Sequence, residues 1–199
     1  MTGKEIALLI QRYVMAFNSF IEKYDSGIIS AFRTSTTNCV GGDIGSSLNK
    51  NDDEYRNKHL TATLMFLGYG VVRIKGTYVD FFLSNNRIEV KEDSYFVVNL
   101  SNDPKFIKNI KKLGELFCQD SVLIIERGGN HNYFAGTNNS AFPGFGKEIS
   151  VGILKPETEP DMTEFERRPF RLDTFKSIQI NSKFLVQKLA KPVIDLLQT

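Results

Sequence analysis

Histidine is the side chain best placed for acid–base work near neutral pH, and this chain has two, His59 and His131. His59-x-Thr61 has the form of one half of a two-histidine phosphoester-cleaving site. The other half is missing, because His131 is followed by Asn132-Tyr133. A single histidine on a helix then reads as a surface or capped residue. Glu92-Asp93 offers two adjacent carboxylates for general-base work. Neighbouring strand residues point to opposite faces, so at most one of them serves a given pocket. Gly128-Gly129 and GTNNSAFPGFGKE (136–148) could cradle a phosphate through backbone amides, yet neither carries the Lys-Ser/Thr pair of a P-loop. They read first as surface loops. Cys39 and Cys118 have neither metal-ligand spacing nor a cysteine-rich context, and are expected as reduced, structural thiols. No resident metal or cofactor is expected.

Several elements must hold these residues. Ile6, Leu9, Ile10, Tyr13, Phe17, Phe20 and Ile21 fall at helical spacing, which predicts a first helix over Lys4–Tyr24. IISAF (28–32) is a short buried strand. Residues 34–53 have almost pure loop composition, and Asn51 or Asp52 can then cap a helix running to Phe66. VVRIKGTYV and FFLSNNRIEVKEDSYFVVNL read as β segments, with a turn at Asn85-Asn86. Asn102 or Asp103 caps a third helix with the stripe Phe106, Ile107, Ile110, Leu113 and Phe117, and SVLIIER is another strand.

That order predicts an α+β fold, a ferredoxin-like βαββαβ sandwich with an extra N-terminal helix and a C-terminal extension. The 199 residues read as a single domain, with a core at 28–150 and the extension at 151–199. Its helices cover one face of the sheet. The other face is expected to be covered partly by a last helix in KFLVQKLAKPVIDLL, kinked near Pro192, and partly by a second copy of the chain. Residues 34–53 and 128–148 read as the loop-rich stretches. A net charge of +2 argues against a nucleic-acid partner. No apolar run reaches membrane-spanning length, so a cytoplasmic protein without membrane association is expected.

Six short elements come in a telling order: SAFR (30–33), KHLTATL around His59, GTY (76–78), EDSYFVV (92–98), QDSVLI (119–124) and PGFGKE (143–148). In this order the chain resembles the bacteriophage S-adenosylmethionine hydrolases, now understood as lyases, over most of residues 28–150. The long first helix, the 34–53 loop and the C-terminal residues have no match in the short phage enzymes.

The resemblance implies a substrate that supplies its own nucleophile. The carboxylate of S-adenosylmethionine attacks the γ-carbon bearing the sulfonium, giving 5′-methylthioadenosine and homoserine lactone. The protein then needs mainly to hold a folded substrate, and such intramolecular geometry is worth ~7–11 kcal/mol. A dry, aromatic-walled pocket favours the step, because carboxylate and sulfonium cancel each other's charge on the way to the transition state. Glu92 and Tyr78 match the family's catalytic positions: Glu92 would bind ribose hydroxyls or the substrate ammonium, and Tyr78 would donate a hydrogen bond near the reacting carboxylate. Ser30, Phe32, Arg33, His59, Gln119, Phe142, Gly144 and Phe145 are the implied substrate-binding residues. The partners implied are a small-molecule substrate and, as in the family, further copies in a homotrimer.

The loop 34–53 would be a substrate-contacting lid, or else a mobile insertion. An enlarged loop would suit an adenylylated S-adenosylmethionine, a second messenger of antiviral signalling that relatives degrade, with Lys50, Arg56 and Lys58 facing the added phosphate. The alternative for these cations is a solvated helix start. A reading from another class is a non-catalytic module that sequesters an adenine nucleotide.

Overall fold

The computed structural model describes residues 18–32, 39–40, 44, 53–80, 88–152, 163–165, 168–177 and 182–198; for 75–80, 88–92, 163–165 and 168–177 it describes the backbone path. Helix α1 (18–23) is followed by β1 (Ser26–Ser30), α2 (Asp53–Phe66), β2 (Gly70–Asp80), β3 (Ile88–Val98), α3 (Phe106–Leu116) and β4 (Ser121–Ile125). Then come β5 (Asn132–Gly136), β6 (Glu148–Ser150), β7 (Thr163–Phe165), β8 (Arg168–Ser177) and α4 (Lys183–Leu197). The class is α+β, as expected. The start of the first helix, the Asn51 or Asp52 cap, the Asn85-Asn86 turn, Arg33 and Lys50 lie outside the described residues.

All strand pairings are antiparallel, in the order β6-β5-β4-β1-β3-β2-β8-β7. The central four, β4-β1-β3-β2, carry α2 and α3 on one face. There Ile29, Tyr95, Val97, Val122 and Ile124 meet Leu60 and Leu64 of α2 and Phe106, Ile110 and Leu113 of α3. On the opposite face Ile74, Phe96, Val98, Leu123 and Ile125 pack with Ile21 of α1, while Ile28, Val72 and Phe134 stay half-buried. Burial on both faces is why these strands read as continuous apolar runs instead of alternating ones.

Three expectations are corrected. First, α4 does not cover the second face. Its buried residues are Ala190 and Val193, and Val193 belongs to the core on the α2–α3 side, so α4 lies outside α2. Helix α2 is thereby enclosed between sheet and helix, which explains its run of buried residues from His59 to Leu64. Second, 128–148 is not merely loop: β5 and β6 extend the sheet beyond β4, and the C-terminal stretch supplies β7 and β8 beyond β2. Short strands ending in glycine, such as NYFAG, carry too little pattern to announce themselves. Third, Cys39 and Cys118 are bonded to each other, with Cα atoms 5.1 Å apart across a separation of 79 residues.

The start of α3 falls later than expected: its N-cap is Lys105, with no side-chain cap bond, and Asp103 instead organises the turn before it. Asp103 accepts from the Lys105 amide at 2.9 Å and exchanges bonds with Asn99, while the Tyr69 hydroxyl donates to Asp103 at 2.6 Å. Burial and this carboxylate together raise the Tyr69 hydroxyl well above its usual pKa.

Candidate functional site

The strand registers bring most of the singled-out positions to one end of the sheet. Ser30 pairs with Ser94, Ser94 with Ile74, Gly76 with Glu92 and Tyr78 with Val90. At that same end β4 starts at Ser121 opposite Gly136, the last residue of β5. Tyr78 and Glu92 thus occupy diagonal positions on adjacent strands, a spacing of about 7–8 Å. By strand alternation both positions share the face of Phe96 and Val72, away from α2 and α3. Asp93 takes the opposite face, where Arg73 donates to its carboxylate and is held in its charged form by that bond. The pair Glu92-Asp93 is therefore split between faces.

The chain leaves β1 through a clamp. Ser30 Oγ donates to the Asp93 carbonyl at 3.0 Å and accepts from the Phe32 amide at 2.9 Å. Arg56, 2% exposed, donates from Nε to the Ala31 carbonyl at 2.9 Å and from its terminal nitrogen to the Phe117 carbonyl. A guanidinium suits this place, because the end of α3 carries the negative pole of the helix dipole. Asn57 accepts from the Ala31 amide at 3.3 Å. Gln119 spends its amide nitrogen on the carbonyls of Phe32 at 2.9 Å and Phe117 at 3.0 Å, and the Thr137 hydroxyl holds the Gln119 carbonyl at 2.6 Å.

Beside the clamp, PGFGKE folds back on the end of β5. Gly136 donates to the Lys147 carbonyl at 2.8 Å and accepts from the Gly146 amide at 3.0 Å. The Phe142 ring meets Phe134 edge-on with centroids 6.1 Å apart, which sets it on the same sheet face as the register positions of Tyr78 and Glu92. Gly144 takes a left-handed turn (φ +89°), and Phe145 is 44% exposed.

Ser30, Phe32, Gln119 and the Phe142–Phe145 turn thus lie around the ends of β1, β4 and β5, while Glu92 and Tyr78 stand further along β3 and β2, two and four residues beyond the level of Ser30. The described hydrogen bonds of Ser30 and of the Gln119 amide nitrogen go to backbone, so these two shape the end of the sheet. His59 is not among them. It sits on the far side of α2, where Nδ1 donates to the Leu189 carbonyl of α4 at 2.6 Å and the ring meets Tyr55 at 4.6 Å. Pro192, which supplies no N–H to the turn before it, lies three residues beyond that carbonyl. Arg56 faces backbone carbonyls and Lys58 pairs on the surface with Glu54 at 2.8 Å, so neither adopts the phosphate-facing arrangement. Arg56, Asn57 and Thr137 carry no sequence signal of their role, because each recognises backbone atoms from distant elements.

Burial lowers the His59 ring below its ordinary 6.5, against the bond to Leu189, which raises it. A depressed pKa in the folded state makes protonation favour the unfolded chain. Stability should therefore fall as pH drops below 6.5 and level off at the folded pKa. In His59→Asn the slope of melting temperature between pH 7 and 5 is expected to flatten. An unchanged slope would remove His59 as its source.

An α+β chain with a tyrosine and a carboxylate position diagonal to each other on one sheet face has a feature common in small-molecule sites. The chain belongs to the S-adenosylmethionine lyase family, whose model matches residues 44–175. The matched range reaches β8, so part of the stretch expected as an extension falls within the family region, while SAFR lies before it. No curated protein and no solved structure gives a match to the chain. Its activity is of the lyase class on S-adenosylmethionine. Among the described residues no helix is long and apolar enough to cross a membrane, and no three His, Cys, Asp or Glu side chains gather as metal ligands.

Proposed function

We propose that the protein cleaves S-adenosylmethionine to 5′-methylthioadenosine and homoserine lactone by intramolecular displacement. A carboxylate oxygen forms the new C–O bond at the γ-carbon as the C–S bond breaks, and the bonding pair leaves on sulfur, which becomes a neutral thioether. The observation that carries this reading is the diagonal register of Tyr78 and Glu92 within the family-matched region. The protein's work is to fold the substrate and exclude water. Phe142 and Phe145 serve as apolar wall, the Tyr78 hydroxyl steadies the attacking carboxylate, and Glu92 holds ribose hydroxyls or the ammonium. A carboxylate pressed on the sulfonium would stabilise the starting charge more than the neutralising transition state, so Glu92 is kept away from sulfur.

Incubation with S-adenosylmethionine, and in parallel with its adenylylated form, followed by chromatography for methylthioadenosine or its adenylylated counterpart, tests the reading. Release from the first substrate supports it, and release from the second alone would move the substrate to the adenylylated messenger. No product from either would leave a nucleotide-sequestering module. Glu92→Gln is expected to reduce turnover at least tenfold with the fold intact, in line with the ~1.5–3 kcal/mol of a charge-assisted hydrogen bond. Unchanged turnover would take Glu92 out of the site. Because the substrate brings its own nucleophile, chelators and added divalent ions are expected to leave the rate unaltered. Activity lost in chelator and restored by one metal would contradict the mechanism.

A further inference from the structure

Helix α4 presents three rows of side chains at one spacing, each row turned about 100° from the next. The docked row is Val186, Ala190, Val193 and Leu197: Ala190 and Val193 are buried, and Val186 and Leu197 are half-buried. One residue earlier runs the row Leu185, Leu189, Pro192 and Leu196, which is apolar throughout. Leu185 is 43% exposed, Leu196 37%, Pro192 is exposed and Leu189 is half-buried. The third row is Phe184, Lys188, Lys191 and Asp195, all exposed, with Lys191 paired to Asp195 at 3.3 Å. The apolar face of α4 is therefore wider than the part that docks, and its outer half meets water. The row is fixed from its first member, because Ser182 caps the helix by accepting from the Leu185 amide at 3.3 Å.

We propose that this second row docks a second copy of the chain, the two α4 helices running antiparallel about a twofold axis. Leu185 then lies opposite Leu196 of the partner subunit, and Leu189 opposite Pro192 of the partner subunit. In such a pairing matching edges of the two helices meet. By helical rotation Lys188 and Asp195 are the charged residues nearest the apolar row, and Lys191 is turned furthest from it. Lys188 therefore meets Asp195 of the partner subunit, and the axis makes the same contact twice. Parallel helices would set Lys188 against Lys188 and Asp195 against Asp195, so charge complementarity selects the antiparallel copy. A membrane surface would be served by cations alone along this rim, which Asp195 breaks. The row runs for about 16 Å, eleven rises of the helix, which is short for a standard interface of about 800 Å² per partner. Association through it therefore depends on protein concentration. The surface is distinct from the open sheet face, so α4 pairing doubles whatever assembly that face makes. The inference is independent of the lyase reading.

The test is sedimentation velocity of the full chain over a wide range of protein concentration, with circular dichroism to confirm that each variant is folded. At high concentration the wild-type mass should be twice that of Leu185→Asp, a change at an exposed position. Lys188→Glu alone and Asp195→Lys alone should each weaken the doubling at least fivefold, because each sets like charges together at both contacts. Mixing these two variants should restore it, since both contacts of the mixed pair join opposite charges. Equal masses for wild type and Leu185→Asp at every concentration would overturn the proposal. So would charge variants that associate as well as wild type, or that fail to recover on mixing.

Discussion

Arg56→Ala should lower the free energy of unfolding by about 3–5 kcal/mol, the range for breaking a buried polar network and leaving a cavity. The side chain is among the largest fully buried ones in the molecule, and its guanidinium lies 5.7 Å from the centre of the Phe117 ring. Truncation leaves the Ala31 carbonyl without its arginine donor, while Phe117 keeps the bond from Gln119. Arg56→Lys should recover only part of the loss, because a single ammonium cannot reproduce a fork spanning two carbonyls from different elements. Chemical denaturation of both variants measures this. A loss below about 1 kcal/mol in Arg56→Ala, the range of a surface substitution, would mean that the clamp is not held by arginine.

Gly136→Ala tests the other wall of the candidate site. A Cβ at this position would stand 1.8 Å from the Gly144 carbonyl oxygen and 2.6 Å from its carbon, both backbone atoms. Neither β5, paired on both sides, nor the tight turn at Gly144 yields easily, so a loss of about 3 kcal/mol or more is expected from overpacking. Gly146→Ala separates steric from conformational cost: a Cβ there meets nothing within 4 Å, but φ is +71°. Its expected loss is about 1–2 kcal/mol, the cost of a left-handed residue. Equal melting temperatures for Gly136→Ala and wild type would show that PGFGKE does not pack on β5 as described. Because Phe142 and Phe145 ride on this turn, Gly136→Ala should also weaken substrate binding if they form the apolar wall.

Local pattern reached far into this fold. Periodicity locates α3 and α4, cap and stop residues locate α2, and the apolar runs locate β1 to β4, because each of those segments carries its own local signature. Strand alternation alone separates Glu92 from Asp93, and the bond from Arg73, diagonal to Asp93 on the helix side, fits that separation. The ordered elements from KHLTATL to PGFGKE pointed to the lyase family that the match over 44–175 shows.

Local pattern failed where the partner was distant. An apolar stripe says that a helix buries one face, and it does not say against what: the stripe of α4 suits an open sheet face, and its place is outside α2. His59 followed the same logic: its type suggested chemistry, and only the approach of Leu189 from α4 made it a link between helices. Arg56 looked like a solvated cation at a helix start, and the crossing of α2's first turn over the end of α3 turned it inward. Two cysteines 79 residues apart could be paired only by a fold that returns both to the same place. Residue types, spacing and alternation act through neighbours in the chain and were therefore readable in the sequence. Which surfaces meet depends on packing between distant segments, and that was decided only in three dimensions.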